Sequence, residues 1–85
     1  MPNIIICEIG EDGYETRKIE FFDQGKIGYA YDDIVYCEFD TAYPTGLSDQ
    51  PSPNIDEYNQ NSVFLAIKVS KEYFELAWKK FGPNL

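Results

Sequence analysis

The side chains able to do chemistry in this 85-residue chain are mainly fifteen carboxylates, seven tyrosines and two cysteines, and there is no histidine. Without histidine, the serine–histidine and cysteine–histidine pairs that activate a nucleophile are unavailable. The paired acids Glu11-Asp12 and Asp32-Asp33 lie in predicted turns, where solvated carboxylates are ordinary, and no glycine-rich phosphate-binding motif occurs. We therefore expect no catalytic residues, no cofactor and no enzymatic activity.

Cys7 and Cys37 are the only cysteines. A structural zinc site needs about four nitrogen or sulfur ligands, so two cysteines without histidine do not predict a metal site. Both lie in apolar, strand-like runs. We predict small, buried side chains that stay reduced in the cytoplasm, and the alternatives are a disulfide or a reactive thiol.

Tyrosines and acids are concentrated between Tyr29 and Tyr43, where the sequence reads YAYDDIVYCEFDTAY. Tyrosine offers a large contact area at a small cost in side-chain entropy and recurs in binding hot spots. The alternative is that these tyrosines cover the protein's own sheet beneath a long loop. The predicted partner-binding residues are Tyr29, Tyr31, Asp32, Asp33, Tyr36, Glu38, Asp40 and Tyr43.

The net charge favours a protein partner over a nucleic acid. Fifteen acids against seven bases give −8, which repels a phosphate backbone and speeds the encounter with a basic protein. The alternative is that the acidity serves only solubility. No apolar run approaches the ~18 residues of a membrane helix, and no secretory signal is visible, so we expect a cytoplasmic protein. A homo-oligomer is compatible with all of these features.

Strands must position most of these side chains. The stretch Tyr14–Tyr31 predicts two strands, along which the side chains alternate between the two faces of the sheet. A turn at Asp23–Lys26 joins them, and Gly25 supplies its positive φ. On the second of them, Gly28 and Ala30 leave room for a helix or a ring to pack closely. Ile4–Ile9 predicts a strand before this hairpin.

A further strand is predicted over Ile34–Asp40. Its alternation places Val35, Cys37 and Phe39 towards the core, whereas Tyr36, Glu38 and Asp40 project outwards.

The second half of the chain predicts a loop, Thr41–Pro53, and a short helix capped by Asn54. A strand over Val63–Val69 and a closing helix capped by Ser70 follow. The apolar stripe of that helix is Phe74, Ala77, Trp78 and Phe81. The predicted fold is one α+β domain over residues 1–85, with an antiparallel sheet of four or five strands, the C-terminal α-helix packed on it, and the short helix.

Several segments resemble a known family. Glu15-Thr16-Arg17-Lys18-Ile19-Glu20, followed by Phe22, Gly25 and Gly28-Tyr29-Ala30, resembles small, mostly bacterial domains catalogued as domain of unknown function 6881. Leu47-Ser48, Pro51-Ser52-Pro53 and Glu57-Tyr58-Asn59 are similar to that family's later loop and short helix, and Ser70–Glu75 with Trp78 is similar to its last helix. The resemblance brings no established activity. In size and charge, its members resemble the small immunity proteins found beside bacterial toxins.

We hold three hypotheses for function. The first is an immunity-type inhibitor that neutralises a basic toxin domain, such as a nuclease, by blocking its active site. The second is a phage anti-defence inhibitor whose acids imitate a nucleic-acid backbone. The third is a small-ligand sensor or small enzyme, with a pocket on the sheet face that carries Gly28 and Ala30. Arg17 and Lys18 are expected to be structural charge partners in each case.

Overall fold

The computed structural model describes residues 4–38, 45–52, 55, 59–60 and 67–83. Four strands form one antiparallel sheet in which neighbours along the chain are also neighbours in the sheet. A 3-10 turn joins the second and third strands, and an α-helix follows near the C-terminus. The elements are β1 (Ile4–Ile9), β2 (Glu15–Phe21), β3 (Ile27–Tyr31), β4 (Ile34–Cys37) and α1 (Lys71–Phe81). The predicted α+β class is confirmed.

The hairpin of β2 and β3 forms where the alternating sequence predicted it. Its turn contains the 3-10 segment Asp23–Gly25 and is closed by the Phe22 amide, which donates to the Lys26 carbonyl oxygen at 2.8 Å. Gly25 has the predicted positive φ, +74°, and Gln24 shares this left-handed conformation with φ +67°. Glycine suits such a conformation because it has no Cβ to clash with the backbone.

The register of the sheet decides which side chains share a face, because residues directly opposite in an antiparallel pair point to the same side. Ile19 of β2, which is fully buried, lies opposite Ile6 of β1 and Tyr29 of β3. Tyr29 in turn lies opposite Tyr36 of β4. We call the side of the sheet that carries this row the helix face, because α1 packs on it.

The sequence of α1 explains its start and its packing. Ser70 caps the helix as predicted, since its Oγ accepts a hydrogen bond from the Tyr73 amide at 3.1 Å. Phe74 is buried, and the ring of Phe81 meets that of Phe21 edge-on, with the centroids 5.0 Å apart. The predicted apolar stripe therefore faces the sheet.

The orientation predicted for β4 is wrong, because its two faces are exchanged. The two-residue turn after β3 sets Tyr31 opposite Ile34, so that Val35 lies opposite Ala30. Val35 was predicted to be in the core and is instead 59% exposed, whereas Tyr36 lies on the helix face. Alternation alone fits both orientations, and the length of the turn decides between them.

Residues 45–52 cover part of the opposite side of the sheet, which we call the loop face. Thr45 is 2% exposed and packs directly on Gly28. A Cβ added to Gly28 would lie 3.0 Å from the Thr45 Cβ and closer still to the Thr45 Oγ1. Thr45 therefore fills, above Gly28, the room predicted beside Gly28 and Ala30 for a helix, ring or pocket.

Charged groups fasten this segment to the loop face. The Lys18 ammonium lies 2.8 Å from a Glu15 carboxylate oxygen and also donates to the Gly46 carbonyl oxygen at 3.2 Å. The same Glu15 oxygen accepts from the Ser48 amide at 2.6 Å. Lys18 thus has structural charge partners, as predicted.

The two cysteines lie on β1 and β4, the outer strands among those described. Three strand spacings of ~4.8 Å separate these strands, whereas a disulfide needs Cα atoms within ~7 Å. Cys7 and Cys37 are accordingly thiols that no disulfide joins, both half-buried, and burial raises the pKa of Cys7.

Other predicted elements fall on residues that the structure does not describe. Asn54 and Glu57 of the short helix lie outside the described residues, although Ile55 and residues 59–60 are helical. Residues 63–66 of the strand predicted over Val63–Val69 also lie outside, and residues 67–69 are not in a strand.

Candidate protein-binding surface

Three of the predicted site residues form a row of aromatic rings on the helix face. Tyr29 and Tyr31 alternate along β3, and Tyr36 lies opposite Tyr29 on β4. The Tyr36 ring stacks on Tyr29 with their centroids 4.9 Å apart, and the Tyr31 ring lies 6.3 Å from Tyr29 on its own strand. We call these three residues the tyrosine row.

Trp78 of α1 supports one end of the tyrosine row. Its ring meets Tyr31 and Tyr29 edge-on, with the centroids 5.5 and 6.1 Å apart. Both tyrosines are half-buried. Their contacts with Trp78 therefore contribute to the packing of the protein itself. Tyr36 remains 42% exposed. It is therefore the member of the row with the largest exposed fraction available to a partner.

Arg17 fixes the position of α1 over the sheet beside this row. Its guanidinium binds Glu8 through two hydrogen bonds, from Nε to Oε1 at 2.9 Å and from one terminal nitrogen to Oε2 at 2.6 Å. It also donates to the carboxylate of Glu75 on α1. The same group lies 4.8 Å from the ring centroid of Phe74 and 5.2 Å from that of Trp78. The structural role predicted for Arg17 is confirmed by these contacts.

The electrostatics of this cluster follow from its geometry. The bonds from Arg17, with a further bond from the Thr16 hydroxyl, lower the pKa of Glu8 to about 2. The two carboxylates raise the pKa of Arg17 further above its already high value. Both groups therefore stay charged across the physiological range, and neither is poised for proton transfer.

Glu38 is exposed but is also part of the sheet's own hydrogen bonding. Its amide donates to the Ile27 carbonyl oxygen at 2.9 Å, and its Oε1 accepts from the Ile27 amide at 2.9 Å. The side chain thus takes the place of a backbone acceptor, and β4 ends at Cys37, short of the predicted Asp40. Its other oxygen accepts from the Tyr36 hydroxyl at 3.1 Å, which raises the pKa of Tyr36.

Asp32 and Asp33 form the exposed turn between β3 and β4. Asp32 has φ +51°, a left-handed conformation that Asp and Asn adopt more readily than most residues. In the described part of the chain neither carboxylate forms an ion pair. Their negative charge is therefore available to solvent or to a partner.

A second acidic turn lies at the same end of the sheet. Glu11 and Asp12, both exposed, connect β1 to β2. In an antiparallel meander the first and third turns fall at one end, and two strand spacings set these turns about 10 Å apart. We call Glu11, Asp12, Asp32 and Asp33 the acidic end. Sequence reasoning missed the contribution of the first turn, which only the observed strand order places there.

The remaining predicted site residues, Asp40 and Tyr43, lie outside the described residues. What the structure brings together is an exposed aromatic surface at Tyr36 on β4, the strand that starts from an end of the sheet carrying exposed acids. Such a surface suits contact with a cationic protein surface. Among the described residues, no group of three or more His, Cys, Asp or Glu is placed to hold a metal ion. No helix in the described ranges has the length and apolar character to cross a membrane.

Comparison with known proteins gives a family but no characterised relative. The sequence model of the family described as Domain of unknown function (DUF6881) matches residues 1–83. No curated protein and no solved structure matches the chain.

Proposed function

We propose that this chain, which belongs to the DUF6881 family, is an immunity-type inhibitor. It would bind a basic toxin domain, such as a nuclease, and block its active site. In this proposal the protein is a binding protein and not an enzyme. It acts in the cytoplasm, because the thiols of Cys7 and Cys37 suit a reducing compartment.

The observation that carries the proposal is the exposed Tyr36 on β4, the strand that begins at the acidic end. Asp33 precedes Tyr36 by three residues, which is about 10 Å along a strand. Tyr36 is 42% exposed, and its hydroxyl is held by Glu38. Because its ring also stacks on Tyr29, it presents a rigid aromatic surface that loses little entropy on binding.

Electrostatics select the kind of partner. The acidic end places four carboxylates together on a chain whose net charge is −8. A field of this sign steers a cationic partner towards the sheet end and repels an anionic one. A nuclease domain suits this requirement because its substrate-binding surface must itself be positively charged.

Growth rescue tests the proposal directly. The protein encoded beside this gene, or a partner captured from the native host, is expressed in a bacterial strain with and without this chain. We expect the partner to be basic and to arrest growth alone, and we expect co-expression of this chain to restore growth. A captured partner that is acidic, or that is not toxic, would contradict the proposal. A nucleic-acid-binding defence protein captured among phage genes would instead support the anti-defence hypothesis.

The residues are tested by measuring binding to that partner. Asp32→Asn with Asp33→Asn should slow association about 3- to 30-fold at low ionic strength, because steering is weakened. Asn preserves the left-handed backbone at residue 32. Tyr36→Ala should weaken binding about 10- to 100-fold, mainly through faster dissociation. Glu20→Gln with Asp23→Asn makes the same charge change near the opposite end of the sheet and serves as the control.

A further inference from the structure

Tyr36 and Glu38 place an aromatic ring and a carboxylate side by side at the end of β4. The two residues are separated by one position, so their side chains project to the same side of the chain. The Tyr36 hydroxyl donates to Oε2 of Glu38 at 3.1 Å, and this bond fixes the ring and the carboxylate relative to each other. Both side chains are exposed. We call these two residues the ring–carboxylate site.

One face of the Tyr36 ring points away from the sheet. Its other face stacks on Tyr29, with the centroids 4.9 Å apart and the ring planes 29° apart. This separation is close to the ~4.8 Å spacing of neighbouring strands, so the two rings follow each other across the sheet. Because β4 is the last strand of the described sheet, the second face of Tyr36 points beyond it. The exposure of Tyr36, 42%, agrees with this orientation.

The Glu38 carboxylate keeps acceptor capacity beside this ring. An ionised carboxylate accepts about four hydrogen bonds, shared between its two oxygens. In the described part of the chain, Oε1 accepts from the Ile27 amide and Oε2 accepts from the Tyr36 hydroxyl. No lysine or arginine in that part forms an ion pair with Glu38. Each oxygen therefore still has room to accept a bond from a cationic donor.

Arg17 shows what such a combination of groups binds within this protein. Its guanidinium lies 4.8 Å from the ring centroid of Phe74 and 5.2 Å from that of Trp78. The carboxylates of Glu8 and Glu75 accept its hydrogen bonds. A guanidinium can do both at once because it is planar, weakly hydrated and donates through a fork of N–H groups. The ring–carboxylate site offers the same two kinds of contact to a guanidinium from another molecule.

We propose that the ring–carboxylate site binds an arginine side chain of the basic partner. The guanidinium stacks on the outward face of Tyr36 and donates to both oxygens of Glu38. The exposed acids of the acidic end lie further along the same strand and attract the cation to it. This inference rests on the proposed function, since it names the side chain through which the partner is recognised. It also selects arginine over lysine, whose compact ammonium neither stacks flat on a ring nor donates as a fork.

A titration with blocked amino acids tests the site without the partner. N-acetyl-arginine amide and N-acetyl-lysine amide carry the same single positive charge, and each is added to the isotope-labelled full chain at constant ionic strength. We expect the arginine compound to shift the NMR signals of the Tyr36 ring and the Glu38 amide, with a dissociation constant on the order of tens of millimolar. The lysine compound should bind about 3- to 10-fold more weakly, because it lacks the stacking and the second bond.

Two substitutions separate the ring from the carboxylate. Tyr36→Leu keeps an apolar side chain on β4 and removes the aromatic face. Glu38→Gln removes the charge and keeps an oxygen that can accept from the Ile27 amide. Each should weaken binding of the arginine compound about 3- to 10-fold. Glu20→Gln makes the same charge change on the loop face and should leave this binding unchanged. The amide spectrum of each variant shows whether its fold is kept.

Equal binding of the arginine and lysine compounds would overturn the proposal. So would shifts spread over the acidic residues of the whole chain, or arginine binding that neither Tyr36→Leu nor Glu38→Gln weakens. These results are independent of growth rescue. Growth rescue by a chain that does not bind the arginine compound refutes the arginine site alone, whereas arginine binding without growth rescue supports the site and contradicts the inhibitor function.

Discussion

Replacing Arg17 with Lys keeps the positive charge and removes the geometry by which Arg17 joins α1 to the sheet. The guanidinium binds both oxygens of Glu8, reaches Glu75 on α1 and lies against the rings of Phe74 and Trp78. A lysine ammonium is a single point charge that cannot bind a carboxylate through two parallel bonds or stack flat on an aromatic ring. It can hold only part of this cluster at one time.

The expected cost of Arg17→Lys is the sum of the interactions that the lysine side chain cannot make. One charge-assisted hydrogen bond to a partly exposed carboxylate contributes about 1 kcal/mol, and stacking on the rings contributes about 0.5–1 kcal/mol more. Arg17 is 22% exposed and Glu8 is 31% exposed, so solvent screening keeps these values at the low end of their ranges. We therefore expect Arg17→Lys to lower the free energy of unfolding by about 1.5 kcal/mol, which corresponds to a fall in Tm of about 6–12 °C for a domain of this size.

Urea unfolding followed by circular dichroism measures this decrease. A double-mutant cycle with Glu8→Gln shows how much of it comes from the contact between Arg17 and Glu8. The coupling energy between the two positions should be about 1 kcal/mol, because the bidentate contact is the largest single contribution. If Arg17→Lys changed the free energy of unfolding by less than ~0.5 kcal/mol, the Arg17 cluster would not be what holds α1 on the sheet.

The same cluster predicts how stability depends on pH. Because Arg17 lowers the pKa of Glu8 to about 2, the unfolded chain takes up a proton at Glu8 at a higher pH than the folded protein does. The stabilisation is complete above the ordinary pKa of glutamate, near 4.5, and disappears as the pH falls from there towards 2. We expect this contribution to be about 1 kcal/mol after screening, and to shrink in Arg17→Lys. An unchanged acid dependence of unfolding in that variant would contradict the assignment.

Three further substitutions test the packing, each by the free energy of unfolding in urea. Gly28→Ala should lower the free energy of unfolding by about 2 kcal/mol, because the new methyl group would meet Thr45 and the Tyr36 carbonyl oxygen, which lies 3.1 Å from the Cβ position. An unchanged free energy of unfolding would show that Thr45 can move aside. Thr45→Val should raise the free energy of unfolding by about 1 kcal/mol, because the buried Thr45 Oγ1 has no hydrogen-bond partner among the described residues. A destabilised variant would mean that the hydroxyl is hydrogen-bonded to water. Ser70→Ala should cost about 1 kcal/mol, because the bond from the Tyr73 amide is removed; no change would show that the cap is not needed once α1 has packed.

Local sequence chemistry was enough to predict the strands around the first hairpin and the start of α1. Gly25 marked a turn that needs a positive φ, and Ser70 marked a cap followed by an apolar stripe. Both predictions depend on interactions within a few residues, which is why they did not require knowledge of the tertiary structure.

The side of the sheet on which α1 packs was not available from the same reasoning. Alternation showed that Tyr29 and Tyr31 share one face of β3 and that Gly28 and Ala30 share the other, but both faces are compatible with burial. What decides is that Thr45, which follows β3 and β4 in the chain, fills the hollow above Gly28. A contact of this kind depends on how a loop residue fits against a distant strand, and it leaves no periodic pattern in the sequence.

The composition of the site was predictable in part. Tyr29, Tyr31 and Tyr36 were all among the predicted partner-binding residues, but their stacking in one row on the helix face was not predicted. The role of Glu38 in closing the end of β4 was not predicted either, because a carboxylate that replaces a backbone acceptor looks like any other acid in the sequence. Arg17 was predicted to have a charge partner. That Glu75, 58 residues away, is one of them follows only from the packing of α1.

Quantitative capture from the native host is the most direct test of the proposed inhibitor. Immobilised wild-type chain, the variant Asp32→Asn with Asp33→Asn, and the control Glu20→Gln with Asp23→Asn are exposed to the same lysate, and the bound proteins are quantified by mass spectrometry. We predict that one strongly basic protein is enriched equally on the wild type and the control and is captured in a smaller amount by the Asp32/Asp33 variant. If no basic protein is enriched, or if one binds all three chains equally, the acidic end is not the surface that recognises a partner and the proposed inhibitor function is contradicted.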